Sequence, residues 1–190
     1  MVATKSTKRL DRKDWISAAI DKLAREGIES VRVEPLARSL GVTKGSFYWH
    51  FKDRRALLDA VLDHWERVGT LDVIDFIEAS GGSVENRLLK LCDKAGAELG
   101  IEIEVALRNW AQHDVLAAEA VARVDGKRMG LLRQIFSEAC PTPEEAEARS
   151  WLFYSLFSAE VLIADSARQS SRGDLIRKCV EVLARPGKNQ

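Results

Sequence analysis

Apolar residues recur three and four positions apart along almost the whole chain, and no stretch alternates strictly between apolar and polar. That spacing puts a stripe of side chains on each of a series of helices and leaves nothing for a sheet, so the chain reads as all-α. Only Pro35, Pro141, Pro143 and Pro186 interrupt it. The pattern predicts about nine helices, near residues 11–26, 33–40, 43–50 and 53–68, then 83–99, 103–112, 114–139, 143–169 and 172–184. Ile16, Ala19, Ile20 and Leu23 line the buried side of the first, and Gly27 suits the left-handed residue that ends it. Gly41 makes a tight turn between the second and third, while Asp53 and Ser83 carry side chains able to cap the fourth and fifth. Three small helices, a long connector and a larger helical body result. The expected division is a head over residues 1–53 and a body over residues 54–190.

Charge separates the same two parts. The 190 residues carry no net charge, yet residues 1–55 hold thirteen Lys/Arg against seven Asp/Glu, and the remainder sixteen against twenty-two. A basic front suits an anionic partner. Cys92, Cys140 and Cys179 are far apart with no CxxC pair, which argues against a disulfide framework or a zinc site and for small apolar residues in a reducing compartment. The residues from Met1 to Arg9 have no apolar core of the kind a secretion signal needs. The apolar stretch Trp151 to Ala164 is short of the roughly 20 residues of a membrane span. The expected setting is the cytoplasm, with no membrane partner.

The third helix carries the most chemistry. At 100° per residue, Phe47 and Phe51 share a face and point inward with Leu36, Leu40 and Val42. Gly45 and Trp49 lie opposite, flanked by Ser46 and His50 on one side and Lys44 and Tyr48 on the other. An isolated surface helix has little reason to present Tyr, Trp and His together to water, so this set reads as a contact surface. A second helix held by a buried seam, with its outer face free for the major groove, is what helix-turn-helix recognition requires. Gly45 would admit close approach of a backbone. Thr43 and Ser46 can bond to phosphates or base edges, Tyr48, His50 and Lys52 to phosphates, and Lys44 to a guanine edge. The alternative is that Tyr48, Trp49 and His50 pack against the fourth helix.

The run Leu40-Gly-Val-Thr-Lys-Gly-Ser-Phe-Tyr-Trp-His-Phe-Lys-Asp-Arg-Arg-Ala-Leu-Leu-Asp-Ala-Val resembles the signature of the TetR family of transcriptional regulators, over about the first 65 residues. The resemblance implies that Lys44, Ser46, Tyr48, Trp49 and His50 face a double-stranded DNA operator, with Lys52 and Arg54 near its backbone. It further implies a palindromic operator, a homodimer built from the last two long helices, and repression relieved by a small-molecule effector bound in the body. Where the family usually has Thr or Ser at the start of the second helix, this chain has Arg32 and Val33, with Pro35 in the first turn. Arg32 can replace a phosphate contact by charge, but the cap is lost. Lys5, Lys8, Arg9, Arg12 and Lys13 form a basic arm of the kind that adds DNA contacts in the family, or a solvated tail.

Beyond residue 70 the resemblance is architectural. Trp65, Arg108, Trp110 and His113 are the candidates for an effector pocket, although Arg108 can equally pair with Glu104, Trp110 be core and His113 a cap. For the dimer, Phe153, Leu156, Phe157, Leu162, Ile176 and Val180 lie on helices whose apolar residues cover more than one face. No catalytic constellation, metal-ligand spacing or cofactor motif is visible, and His50, His64 and His113 stand at no ligand spacing. An enzyme is therefore not expected. A regulator controlled by a protein partner, or by its own abundance, stays open beside the effector-controlled one.

Overall fold

The computed structural model describes residues 10–94, 99–162 and 171–186, the side chains of residues 157–162 excepted. Among the described residues there is no strand, and ten α-helices follow in order. They are α1 (Arg12–Glu26), α2 (Val33–Ser39), α3 (Lys44–Tyr48), α4 (Arg54–Glu66), α5 (Asp72–Ser80), α6 (Val84–Lys94), α7 (Gly100–Ala111), α8 (Val115–Ser137), α9 (Pro143–Leu162) and α10 (Arg172–Leu183). None is long and apolar enough to cross a membrane.

The punctuation residues account for most of the boundaries. Asp11 accepts from the Lys13 and Asp14 amides while the Asp14 carboxylate accepts from the Asp11 amide, a reciprocal capping box that starts α1. Gly27 ends it at φ 79° and Gly41 turns from α2 to α3 at φ 69°, a region side chains disfavour. Asp53 accepts from the Ala56 amide at 2.9 Å, and Ser83 from the Asn86 amide at 3.2 Å. Pro143 occupies the first position of α9, where a missing amide costs nothing, and Thr142 caps it through the Glu145 amide.

One helix departs from the expectation. The fourth helix does not run to Val68: it stops at Glu66, a single wide turn of π-helical bonding covers Arg67–Leu71, and α5 comes next. Thr70 in that turn is buried, and its hydroxyl accepts from Arg128 Nε at 3.0 Å. Arg128 also donates to the Gly69 carbonyl (3.2 Å) and to the Tyr154 hydroxyl, which itself donates to Asp125 at 2.6 Å. Burial pushes the Tyr154 phenol above its usual range, and the accepting Asp125 carboxylate adds to this.

The chain divides into two compact units, Met1–Glu66 with Leu99–Val121, and Arg67–Glu98 with Ala122–Gln190. In the first, α1 packs on both α4 and α7. Its interior is Trp15, Ile16, Ala19, Ile20 and Leu23 of α1 against Leu57, Val61 and Trp65 of α4 and Ile103, Leu107 and Trp110 of α7. In the second, Ile77, Leu88, Ile135, Phe136, Phe153 and Val180 form the core, with Phe136 and Phe153 edge to face at 6.2 Å. All three cysteines are free and half-buried, and burial raises the Cys92 thiol to about 12, so it stays protonated.

Candidate DNA-binding site

Seating the third helix is the task of Phe47. It is fully buried, meets Trp15 of α1 edge to face at 5.3 Å, and stacks on Phe51 at 5.5 Å. The Arg12 guanidinium lies 4.9 Å over the Phe51 ring and closes the other side of that seam. Leu36 and Ala37 of α2 are buried beneath, with Leu40 and Val42 half-buried. A helix of five residues has little stability of its own, so this aromatic seam, rather than helix propensity, fixes its direction.

With Phe47 inward, the opposite side is forced outward. Trp49 is 88% exposed and Tyr48 54%; Thr43, Lys44, Gly45 and Lys52 are exposed, and Ser46 and His50 half-buried. Trp49 therefore does not pack into the protein, and the Tyr48 ring, edge to face with Phe47 at 5.3 Å, leaves half of its surface in water. A β-carbon added at Gly45 would meet only the Thr43 hydroxyl oxygen at 3.6 Å, so nothing in the protein itself demands glycine there. Thr43 precedes the helix without a side-chain capping bond.

Two cations have partners that the sequence did not reveal. Lys44 Nζ donates to Glu34 Oε1 of α2 at 2.8 Å, both side chains remaining largely exposed. The bond from Lys44 holds the Glu34 carboxyl below its usual range, and Glu34 raises the Lys44 ammonium. Arg54, half-buried at the start of α4, donates from Nε to the Val31 carbonyl at 2.5 Å and from Nη2 to the Ile28 carbonyl at 2.8 Å. These bonds tie the short turn after α1 to α4, giving Arg54 a structural task. Arg54→Ala should lower stability by about 2 kcal/mol, because two carbonyls lose a charged donor. Thermal melting should register a drop of several degrees; an unchanged melt would show the tie to be dispensable. Arg32 is exposed, makes no capping bond to α2, and donates instead to the Glu29 carbonyl at 2.9 Å. Of the basic arm, Lys5, Lys8 and Arg9 lie outside the described residues.

The other expected residues fall elsewhere. Trp65 and Trp110 sit in the core of the first unit, where the Trp65 indole donates to Glu104 at 3.1 Å. Arg108 pairs with the same Glu104 at 2.8 Å. His113 is exposed, and Asp114 rather than His113 caps α8, accepting from the Ala117 amide and from Arg55. Phe153 and Val180 are core residues of the second unit, with Leu156 and Ile176 packed half-buried against it. The expectation that Phe153 and Val180 face a partner is therefore corrected: each is already covered by its own protomer. The side chains of Phe157 and Leu162 lie outside the described residues. Among the described residues, Trp151 and Leu152 of α9 and Leu175 and Val182 of α10 are the large apolar side chains of these helices that stand exposed. Among the described residues no group of His, Cys, Asp and Glu is placed to hold a metal ion.

A short helix seated by buried aromatics after a glycine turn, with its polar and aromatic side presented to solvent, defines a helix-turn-helix DNA-binding domain. Residues 16–61 match the family model of bacterial regulatory proteins, tetR family, so this domain is similar to the DNA-binding domains of those regulators. It is 43% identical over 53 residues to the class D tetracycline repressor of Escherichia coli, a match covering 28% of this chain and 24% of that protein. The chain thus spans about a quarter of the length of this relative. Over nearly its whole length it shares a fold with the superantigen PfiT (TM-score 0.71, 17% identity, 95% of this chain and 97% of the other). It also shares one with AibR in complex with isovaleryl coenzyme A and operator DNA (TM-score 0.68, 14% identity, 95% and 100%).

Proposed function

We propose that the protein is a transcriptional repressor, which binds a palindromic operator as a homodimer and is released by a small-molecule effector. The observation that carries the reading is the solvent-facing set of Lys44, Gly45, Tyr48 and Trp49 on a helix whose other side is locked by Phe47. Thr43, Ser46 and His50 complete the groove-facing set, and Arg32 and Lys52 flank it toward the phosphates, where Arg54 would act through the fold it braces. The head, residues 1–53, reads DNA; residues 54–190 bind effector and partner; the cytoplasm is the site of action.

Release is best understood through α7. It packs on α1, while Trp65–Glu104 joins it to α4 and Arg55–Asp114 ties α4 to the start of α8, just beyond the end of α7. A ligand that shifts α7 is therefore felt by α1 of the head and by α4 directly behind it. Within the effector set, Arg108 and His113 are within reach of a small molecule, and Trp65 and Trp110 are the packed residues that transmit its arrival. AibR, of the same fold, binds an acyl-coenzyme A thioester and operator DNA, which supports control by a small ligand and makes such thioesters the first class to test.

Selection from random duplex DNA tests the reading. The chain should enrich an inverted repeat whose half-sites lie one helical turn or a multiple apart. If each dimer contacts about 6–10 phosphates, affinity should fall by roughly 10³–10⁵ between 50 and 200 mM salt. Recovery of no repeat, or binding indifferent to salt, would overturn it.

A further inference from the structure

Glu34 is an acidic group on the side of the head that the DNA-binding reading turns toward a polyanion. An exposed ion pair contributes little to stability, generally under about 1 kcal/mol, so the fold gives no strong reason for it. A carboxylate near phosphates costs affinity for every sequence alike, and such a cost is useful where it discriminates. Two features of the geometry make it discriminating. First, Lys44 ends a flexible four-carbon stem that would otherwise reach the nearest phosphate; the 2.8 Å bond to Glu34 holds its ammonium between α2 and α3. Second, both partners keep bonding capacity: the ammonium has two further protons, and the carboxylate a second oxygen. An ammonium donor thus stands next to a carboxylate acceptor, on side chains 51% and 66% exposed.

On this basis we infer that Lys44 and Glu34 act as one reading unit for a single G·C base pair in each half-site, with Glu34 as a specificity-determining residue. The inference rests on the proposed DNA-binding function. In the major groove a G·C pair presents the guanine N7 and O6 acceptors beside the cytosine N4 amino donor. Lys44 meets the two acceptors and Glu34 the amino group. An A·T pair presents acceptor, donor, acceptor and then the thymine methyl, which sets thymine O4 against the carboxylate. Reversal of the G·C pair puts the amino group under the ammonium and the acceptors under the carboxylate. The A·T and reversed G·C pairs are therefore rejected by a repulsion as well as by a lost bond. A T·A pair, which keeps thymine O4 under the ammonium and the adenine amino group under the carboxylate, is rejected only by the methyl group that replaces the second acceptor.

The test compares wild type, Glu34→Gln, Lys44→Ala and the double variant of the full chain, by selection from random DNA and by titration of single-base variants of the selected site. Wild type should require G·C at one position. Glu34→Gln should bind nonspecific DNA more tightly, yet lose preference at that one position by at least about fivefold, the low end of a good base contact. Adding Glu34→Gln to Lys44→Ala should cost no further preference, as expected for residues acting as a unit. Thermal melts of the variants should stay close to wild type. If Glu34→Gln raises affinity equally for all sequences and selects an unchanged site, the pair is only a surface ion pair and the inference is overturned. If wild type selects no site at all, the DNA-binding reading fails instead.

Discussion

Phe47→Ala is expected to lower the melting temperature by about 10 °C and to abolish operator binding at concentrations where the wild type is saturated. Truncating a buried Phe costs about 3–5 kcal/mol, a large part of the 5–15 kcal/mol that holds a typical domain together. At this chain length each kcal/mol is worth about 2–4 °C. Phe47 touches Trp15, Tyr48 and Phe51, so its loss opens a cavity at the point where α3 meets α1. The recognition surface then loses its direction, though none of its exposed residues has changed. Trp49→Ala is the informative contrast. At 88% exposure the side chain contributes little to the fold, and its truncation should leave the melt within about 0.5 kcal/mol of wild type while weakening DNA binding. Calorimetry and DNA titration on both variants separate the two roles. A Trp49→Ala chain that binds DNA normally, or a Phe47→Ala chain that melts normally, would show the assignment to be wrong.

The head was readable because its boundaries are set by local chemistry. Gly27, Gly41 and the Asp53 cap each act within four residues, and the Phe47–Phe51 spacing leaves one way for α3 to face. What escaped depends on contacts distant in sequence. Lys44 and Glu34 are ten residues apart, and Arg54 reaches carbonyls 23 and 26 residues back. The helix α5 escaped because a π-helical turn keeps the chain helical through Arg67–Leu71, with no glycine or proline break between α4 and α5 strong enough to read. That α7 belongs with the head's unit also lay beyond reach, since the Ile103, Leu107 and Trp110 stripe specifies a buried face without saying what buries it. The body suffered most from the composition of α9. Its apolar residues surround the helix, so periodicity could not decide which of them look outward. Packing turns Phe153 in and leaves Trp151 and Leu152 out.

That outward pair carries the second large effect. Trp151 and Leu152 are 61% and 59% exposed in the protomer, and Leu175 and Val182 of α10 are exposed as well. Arg149, two positions before Trp151, donates to the carbonyls of Leu183 and Arg185, which holds this part of α9 against the end of α10 beside Val182. Large apolar side chains left in water on two adjoining helices suit an isologous contact with a second copy. Replacing Trp151 and Leu152 together by Glu should therefore give a monomer in analytical ultracentrifugation. A two-fold axis sets each new charge near its own copy, in a contact that excludes water. The melt of the protomer should change little, because neither side chain belongs to the core. Operator affinity should fall by about 10²–10⁴, the gain that joining two half-site readers supplies without any new contact. Binding to an isolated half-site should survive, since α3 and its aromatic seat are untouched. A double variant that still sediments as a dimer would place the interface elsewhere. One that becomes monomeric yet binds the full palindrome as tightly as wild type would show that the two heads need no partner to hold their spacing.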